Sequence, residues 1–366
     1  MPSNSKVALA HDHLNQFGGA EKVLAEFHII YPEAPVFTLI FNQDTVGKMF
    51  DCWDIRTSFI QKLPGSPKLF KWYLGLMPAA VEDLDLSEYG LVISSCSALI
   101  KGLVLKPESI HLCYCHSPTR YLWSDTHQYK EELEQPRLIK KLLPMVLTKL
   151  RVWDQLAAQR VDHFIANSQF VAHRIKRYYR RPATVIYPPV DVKQFTISDK
   201  IEDYFLVISR LRPYKRVDLA VKAFNKLGIP LKIIGVGEQY NDLKKIARDN
   251  IEFLGQATES EKVYYLSRCK ALIFPQEEDF GITAVEALSS GRPVIAYGKG
   301  GALEIIQPGS TGVFFNEQSW EALADAVVRF DQKKYDPVKL RRVAEKFDST
   351  VFKERLNEFV VKVQKR

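Results

Sequence analysis

The stretch Phe274-Pro-Gln-Glu-Glu-Asp-Phe-Gly-Ile-Thr-Ala-Val-Glu286 decides most about the fold. The apolar run Ala271 to Phe274 predicts a buried strand, and the acidic turn after it ends at Gly281, where a helix can begin. A turn from a strand into a helix forms an anion site, because the first backbone N–H groups of the helix have no partner within it. Glu278 and Glu286 flank this site, and carboxylates are strong acceptors for hydroxyl groups. A nucleotide-sugar fits this arrangement, because its phosphates lie between two sugars that carry hydroxyl groups.

The same alternation of short β-branched runs and longer segments of helical period continues along the chain. The predicted strands are 7–10, 36–39, 91–94, 111–115, 163–166, 183–186, 204–209, 231–234, 251–254, 271–274 and 294–296. Helices are predicted between them, for example at 20–30, 217–226, 239–247 and 260–267. Strand–helix alternation of this kind gives parallel sheets covered by helices on both faces.

A chain of 366 residues is too long for one ordinary core, which indicates two domains. The break falls at Tyr187-Pro-Pro-Val-Asp191, because consecutive prolines favour an extended connector. We therefore predict an α/β fold of two doubly wound, Rossmann-like domains, 1–186 and 187–345, facing each other across a cleft. Residues 346–366 are predicted to form an amphipathic helix that returns to the N-terminal domain. Ligands of such sheets bind beyond the carboxyl ends of the strands, so the cleft is the expected site.

The composition is that of a globular protein with a basic surface, 46% hydrophobic and with a net charge of +8. No transmembrane or signal segment is predicted, and we expect a cytoplasmic protein that associates peripherally with the inner face of the membrane. Eleven Lys and Arg lie between Arg137 and Arg181, and Lys68-Leu-Phe-Lys-Trp-Tyr-Leu-Gly-Leu-Met77 mixes bases with apolar groups. Such segments suit an anionic membrane, and an ordinary solvated surface remains the alternative. Nucleic acid is not expected as a partner, since no nucleic-acid motif accompanies the charge.

Three glycine-rich or basic turns follow predicted strands and are candidates for binding phosphate. Gly18 and Gly19 open the first helix, and a backbone without Cβ lets a phosphate approach closely. Arg210 and Lys215 follow the first strand of the second domain and can neutralise a diphosphate without a metal ion. The turn at Gly235 lacks the third glycine of the dinucleotide fingerprint, which disfavours a nicotinamide enzyme.

A polar loop on the predicted cleft side follows the strand that ends at Cys115. The loop contains His116, Arg120 and Tyr121. Its histidine can either take part in a functional site or have only a structural role. His13 follows the first strand in the same way. The eight histidines have no paired ligand spacing, so no metal site is predicted.

Together these residues resemble the retaining glycosyltransferases of family 4, which have the GT-B fold of two facing Rossmann-like domains. The specific part is Glu278-x7-Glu286 followed by Gly291-Arg-Pro-Val and Gly300-Gly-Ala-Leu-Glu304. The stretches His11-Asp-His-Leu, Gly18-Gly-Ala-Glu and Tyr114 to Trp123 are most similar to bacterial mannosyltransferases that build surface polysaccharides and O-antigens.

The resemblance implies a role for each matching residue. Arg210 and Lys215 would bind the donor diphosphate, His116 would lie near the transferred sugar, and Glu278 would hold sugar hydroxyls. These four are the candidate catalytic residues. The donor-binding set adds Gly18, Gly19, Gly235, Phe280, Gly281, Ile282, Thr283 and Glu286, the last of which would take the ribose hydroxyls. The acceptor-binding candidates are His13, Arg120 and Tyr121.

The implied reaction is transfer of a hexose, mannose from GDP-mannose, to a polysaccharide or lipid-linked glycan, with retention and without a metal or cofactor. Acidic Asp279 stands where the family often has glycine, and Gly235-Val-Gly-Glu238 replaces a frequent Gly-Asp-Gly-Pro. Three alternatives stay open: a UDP-sugar-dependent transferase, an epimerase or phosphorylase of the same fold, and a nucleotide-sugar-binding protein at the membrane without turnover.

Overall fold

The computed structural model describes residues 6–126 and 137–365 and divides the chain into two compact units. The N-terminal unit comprises Met1–Pro188 together with Lys353–Arg366, and the C-terminal unit comprises Pro189–Phe352. The connection between them follows Tyr187 and contains the two prolines, Pro188 and Pro189. Each unit has one parallel sheet of its own.

The N-terminal unit is built on a seven-stranded sheet whose order is β3-β2-β1-β4-β5-β6-β7, with every pair parallel. Its strands are β1 Val7–His11, β2 Val36–Thr38, β3 Ile55–Thr57, β4 Leu91–Cys96, β5 Ile110–Cys115, β6 His163–Ala166 and β7 Ala183–Val185. The chain proceeds from β1 to one edge and then restarts at β4 on the other side of β1. The switch point therefore lies between β1 and β4, where ligands of doubly wound sheets bind.

The C-terminal unit repeats this plan with six parallel strands in the order β10-β9-β8-β11-β12-β13. They are β8 Phe205–Ile208, β9 Leu231–Ile234, β10 Ile251–Gly255, β11 Leu272–Phe274, β12 Val294–Tyr297 and β13 Gly312–Phe315. Here the switch point lies between β8 and β11. The prediction of two doubly wound α/β sheets is confirmed.

Helices connect the strands in both units. In the N-terminal unit the described α-helices are Gly19–Ile30, Gln43–Val46, Met77–Glu82, Arg120–Trp123, Arg137–Ala157 and Gln169–Tyr179. In the remainder they are Val217–Leu227, Tyr240–Ile246, Glu259–Arg268, Ile282–Ser289, Ala302–Ile305, Trp320–Arg329, Pro337–Ala344 and Ser349–Gln364. Their buried residues are mainly apolar, as expected for helices that cover a sheet.

The last helix, Ser349–Gln364, begins in the C-terminal unit and continues into the N-terminal unit. Lys353 Nζ lies 3.4 Å from Glu26 Oε2, and the ring of Phe359 meets that of His163 edge-on at 6.0 Å. Leu356 and Val360 are buried on the same face of this helix. Apolar packing at helical spacing therefore attaches the end of the chain to the N-terminal unit.

The basic helix Arg137–Ala157 has three leucines that pack into the protein, while Met145, Val152 and Leu156 of the same helix are exposed. Leu143, Leu147 and Leu150 are buried in the core of the N-terminal unit. Leu138 and Leu142 of the same helix lie outside the residues whose side chains are described. In residues 6–126 and 137–365, no helix combines the length and the hydropathy needed to cross a bilayer.

Candidate active site

Two loops meet at the switch point of the C-terminal unit, one after β8 and one after β11. The first ends in the 3-10 turn Pro213–Lys215, after which Arg216 adopts φ +52° and opens the helix Val217–Leu227. Lys215 Nζ forms an ion pair with Glu278 Oε1 of the second loop. Both side chains keep an exposed fraction, 16% for Lys215 and 18% for Glu278. A cation and a carboxylate predicted to bind the same ligand are therefore in direct contact and reachable from solvent.

The loop that carries Glu278 packs against two glycines, Gly300 and Gly301, in the turn after β12. The backbone N–H of Gly301 donates to the carbonyl of Glu278 at 2.8 Å. A Cβ at Gly300 would lie 2.3 Å from that carbonyl, and one at Gly301 would lie 2.3 Å from the Cα of Phe280. Gln276, which is buried, adds a hydrogen bond of 3.4 Å from its Nε2 to Glu278 Oε1. Close backbone packing thus fixes the carboxylate of Glu278 at the edge of the sheet.

The helix Ile282–Ser289 starts directly after this loop. Gly281 stands at its N-terminus with φ +115°, a conformation that favours glycine, while Ile282 and Thr283 are partly exposed. The first turn of the helix is therefore accessible to an anion. Phe280 is a donor-binding candidate as part of the backbone that leads to Gly281, and its ring is buried and packs edge-on against Phe347 at 5.4 Å. It can contact a ligand only through its backbone.

Glu286 lies inside this helix and is 4% exposed. Its Oε1 accepts a hydrogen bond from Lys262 Nζ at 2.9 Å, and Lys262 also pairs with Glu259 at 2.7 Å. Burial disfavours the charged form of Lys262, but the two carboxylates outweigh burial and raise the pKa of Lys262. The carboxylate predicted to take ribose hydroxyls is thus already held by a lysine that the sequence pattern did not single out.

Gly235 brings the end of β9 against the loop that carries Arg210. It has φ +146°, and a Cβ there would lie 1.8 Å from the carbonyl oxygen of Ser209. The backbone N–H of Gly235 donates to the carbonyl of Gly255 at 2.8 Å. Glycine is therefore required at this position for the two loops to approach each other.

At the switch point of the N-terminal unit, Asp12 closes the turn after β4. Its carboxylate accepts four backbone hydrogen bonds of 2.6 to 2.8 Å, donated by residues 97, 98, 99 and 100. Burial opposes the charge of Asp12, but nearby His13 and the backbone donors lower the pKa of this carboxyl. Asp12 belongs to the stretch His11-Asp-His-Leu, and its sequence context indicated no role for it.

His116 stands at the end of β5 on the same edge. Its Nε2 lies 2.8 Å from Ser95 Oγ, and Ser95 Oγ lies 3.0 Å from His11 Nδ1. Burial lowers the pKa of His116 to about 4, so this histidine is neutral near pH 7. On the far side of His11, Nε2 is 3.5 Å from Glu21 Oε1. Neither Ser95 nor Glu21 was a candidate from the sequence.

The acceptor-binding candidates lie around this edge of the N-terminal unit. The ring of His13 packs against Phe70 at 4.8 Å, and burial lowers the pKa of His13 to about 4. Arg120 and Tyr121 open the short helix Arg120–Trp123 and are partly exposed. The loop that carries them is held in place, because buried Asp154 accepts hydrogen bonds from Thr119 and Trp123 on either side of them.

Asp154 is the anchor of that loop. Thr119 Oγ1 donates to it at 2.9 Å and Trp123 Nε1 at 2.7 Å, while buried Lys101 forms an ion pair with the same carboxylate.

The other glycine candidates stand at the start of the first helix of the N-terminal unit. Gly18 is its N-cap, a residue without a side chain to cap the helix, and Gly19 is its first residue.

Comparison with known proteins places these features in a family. The model described as Glycosyltransferase Family 4 matches residues 17–194, and the model described as Glycosyl transferases group 1 matches residues 191–347. An uncharacterised glycosyltransferase of Methanocaldococcus jannaschii is 26% identical over 185 residues, which are 49% of this chain and about half (52%) of that protein. The alpha-1,3/1,6-mannosyltransferase ALG2 of Dictyostelium discoideum is 26% identical over 332 residues, or 75% of each chain.

Among solved structures, that of Anabaena HepE in complex with UDP and glucose matches with a TM-score of 0.73 at 19% identity. The match covers 98% of this chain and 100% of that one. The two parallel sheets are thus those of a GT-B glycosyltransferase. The two family models together span residues 17–347, and the chain belongs to glycosyltransferase family 4.

The approach of the two loops at Gly235 can be tested by its replacement. Gly235→Ala should reduce the free energy of unfolding by roughly 2–5 kcal/mol, from backbone strain and overlap with Ser209 together. Gly228→Ala is the matched control, because Gly228 has φ +69° but no atom within 4 Å of the added Cβ. It should cost only the strain, about 1–2 kcal/mol in urea unfolding. Equal costs for both variants would contradict the close packing inferred here.

Proposed function

We propose that this protein is a retaining, metal-independent glycosyltransferase that transfers a hexose, mannose from GDP-mannose, to a polysaccharide or lipid-linked glycan acceptor. The observation that carries the proposal is the contact of Lys215 with Glu278 at the β8–β11 switch point, beside the open start of the helix Ile282–Ser289. A cation, a carboxylate and the first backbone N–H groups of a helix at one place suit a ligand that has both a diphosphate and hydroxyl groups.

The diphosphate would be bound by Arg210, Lys215 and the first turn of the helix that follows Gly281. When it occupies the site, Lys215 exchanges its partner, Glu278, for phosphate oxygens. The carboxylate of Glu278 is then released to accept hydrogen bonds from sugar hydroxyls. We therefore favour a ligand that has both phosphate and hydroxyl groups. An anion without hydroxyl groups would leave the carboxylate of Glu278 beside a negative charge, with no donor to compensate it.

The two candidate carboxylates, Glu278 and Glu286, both form ion pairs with lysines, which disfavours a nucleophile of the glycosidase kind. Glu278 pairs with Lys215, and buried Glu286 pairs with Lys262. A retaining glycosidase needs a carboxylate free to attack the anomeric carbon. We therefore propose that the departing diphosphate, stabilised by Arg210 and Lys215, takes the proton of the acceptor hydroxyl on the face that it leaves.

Replacement of Lys215 tests the role of this cation. Lys215→Ala should lower the turnover of GDP-mannose by roughly 10²–10³, since charge on the leaving group loses a preorganised partner. Release of GDP is measured in EDTA with and without a lipid-linked acceptor, and circular dichroism checks the fold. Lys222→Ala is the control, because Lys222 is 50% exposed and pairs only with Asp218 among the described contacts. Near-normal turnover in Lys215→Ala would remove Lys215 from the mechanism.

The choice of GDP-mannose rests on the resemblance to mannosyltransferases and on the similarity to ALG2. The loops near Gly235 and Gly255, which would face the base, contain no sequence pattern specific for one base. A panel of GDP, UDP and ADP compared by thermal shift separates the candidates. GDP should raise the melting temperature most, because binding to the native state alone stabilises it by mass action. A larger shift with UDP would favour the UDP-sugar-dependent alternative.

An exposed apolar segment of the N-terminal unit supports attachment to the membrane that would hold a lipid-linked acceptor. In the 3-10 helix Phe70–Leu76 and the residue before it, Leu69, Trp72 and Leu76 are 52%, 54% and 46% exposed. Lys68 and Lys71 are exposed beside them, whereas Phe70 packs inward against His13. We propose that this apolar and basic face, residues 68–76, binds an anionic lipid surface close to the acceptor candidates.

Vesicle sedimentation tests this face. Trp72→Ala should reduce binding to phosphatidylglycerol-containing vesicles by about tenfold or more, since a large apolar group no longer enters the interface. Val328→Ala serves as control, because Val328 is 64% exposed but lies in the C-terminal unit. The wild type should also bind less in high salt and to neutral vesicles. Equal sedimentation of the wild type and Trp72→Ala would contradict the proposal.

A further inference from the structure

Four polar side chains form a continuous line in the N-terminal unit that ends at His116. Glu21 Oε1 lies 3.5 Å from His11 Nε2, His11 Nδ1 lies 3.0 Å from Ser95 Oγ, and Ser95 Oγ lies 2.8 Å from His116 Nε2. His11, Ser95 and Glu21 are almost completely buried, while His116 is partly exposed. Only the last member of this line can therefore meet a ligand.

The register of the sheet produces this line. His11 of β1 is paired with Ser95 of β4, and Ser95 is paired with Tyr114 of β5. His116 follows Tyr114 by two residues, so its side chain lies on the same face. Glu21 reaches His11 from the first turn of the helix Gly19–Ile30, where the helix dipole favours a carboxylate.

The hydroxyl of Ser95 has one proton for two ring nitrogens. It can donate to one histidine and must accept from the other, so the tautomers of His11 and His116 are coupled. If Ser95 donates to His11 Nδ1, then His116 Nε2 carries a proton and His116 Nδ1 is a bare acceptor. If Ser95 turns the other way, His116 Nδ1 becomes the protonated nitrogen of a neutral ring.

Glu21 distinguishes the two arrangements. An ionised carboxylate only accepts hydrogen bonds, and here it faces His11 Nε2. A neutral His11 with its proton on Nε2 is attracted to that oxygen, whereas a bare Nε2 is repelled. In a neutral His11 ring this attraction leaves Nδ1 bare and able to accept from Ser95.

We propose that Glu21, His11 and Ser95 are positioning residues that hold His116 as the Nε2–H tautomer, so that its Nδ1 accepts a hydrogen bond from a hydroxyl of the sugar substrate. The substrate half of this statement rests on the proposed function. The tautomer half is a property of the free protein and can be tested without any substrate.

The same strand provides a matched control. Ser94, the neighbour of Ser95 on the other face of β4, is also buried, and its Oγ lies 2.8 Å from His111 Nε2. His111 is buried and stands at the opposite end of β5 from His116. Ser94→Ala therefore removes a similar buried serine–histidine contact without touching the line to Glu21.

The test is NMR of the free protein labelled with ¹⁵N in its histidines, at pH 7, with the His116 signals assigned from His116→Gln. In the wild type, His116 Nδ1 should show the shift of a bare nitrogen and Nε2 that of a protonated one. Ser95→Ala and Glu21→Gln should each shift His116 toward a mixture of tautomers, the latter because an amide can donate to His11 Nε2. Ser94→Ala should leave His116 unchanged and alter only His111.

Kinetics provide the second readout, with GDP-mannose as the probe. Turnover in Ser95→Ala should fall about tenfold with little change in KM, the loss expected from one misdirected hydrogen bond to the reacting sugar. A protonated Nδ1 in wild-type His116, or the same tautomer in the wild type, Ser95→Ala and Glu21→Gln, would overturn the positioning role. The predicted tautomers without turnover of GDP-mannose would instead contradict the proposed function and leave the tautomer assignment standing.

Discussion

All strands of each sheet run in the same direction, and this sets where the candidate site residues lie. In a parallel sheet every carboxyl end lies at the same edge, so loops far apart in sequence become neighbours at the switch point. Lys215 and Glu278, 63 residues apart, meet in this way after β8 and β11. Asp12 and residues 97–100 meet likewise after β1 and β4. The parallel strands therefore bring these loops together, and the side chains of the loops form the candidate site.

Charges buried behind these loops keep them in place, and each has a partner that compensates for lost hydration. Asp12 has four backbone donors, Asp154 has Lys101 and two further donors, and Glu286 has Lys262. Removal of one partner from such a pair is costly, because the other charge stays buried. The positions of Glu286 and of the loop that carries Arg120 therefore depend on residues that need not touch a substrate themselves.

Much of the fold and part of the candidate site could be predicted from the sequence. Periodicity located eleven of the strands, but it missed β3 and β13, which are edge strands of three and four residues. The motif around Glu278 indicated the family because its residue types are unusual together, and the family models confirm that assignment. Ser95, Glu21 and Lys262 were missed, since each acquires its role only from a tertiary contact.

The proposed function requires that the carboxyl ends of β8 and β11 bind a nucleoside diphosphate. Hydrogen exchange followed by mass spectrometry, with and without GDP in the presence of EDTA, tests it most directly. We expect slower exchange in residues 209–216 and 275–286, because bound phosphate accepts from backbone N–H groups and orders both loops. The helix Trp320–Arg329 of the same unit should exchange as before. Protection absent from both loops at saturating GDP, or confined to other segments, would contradict the claim.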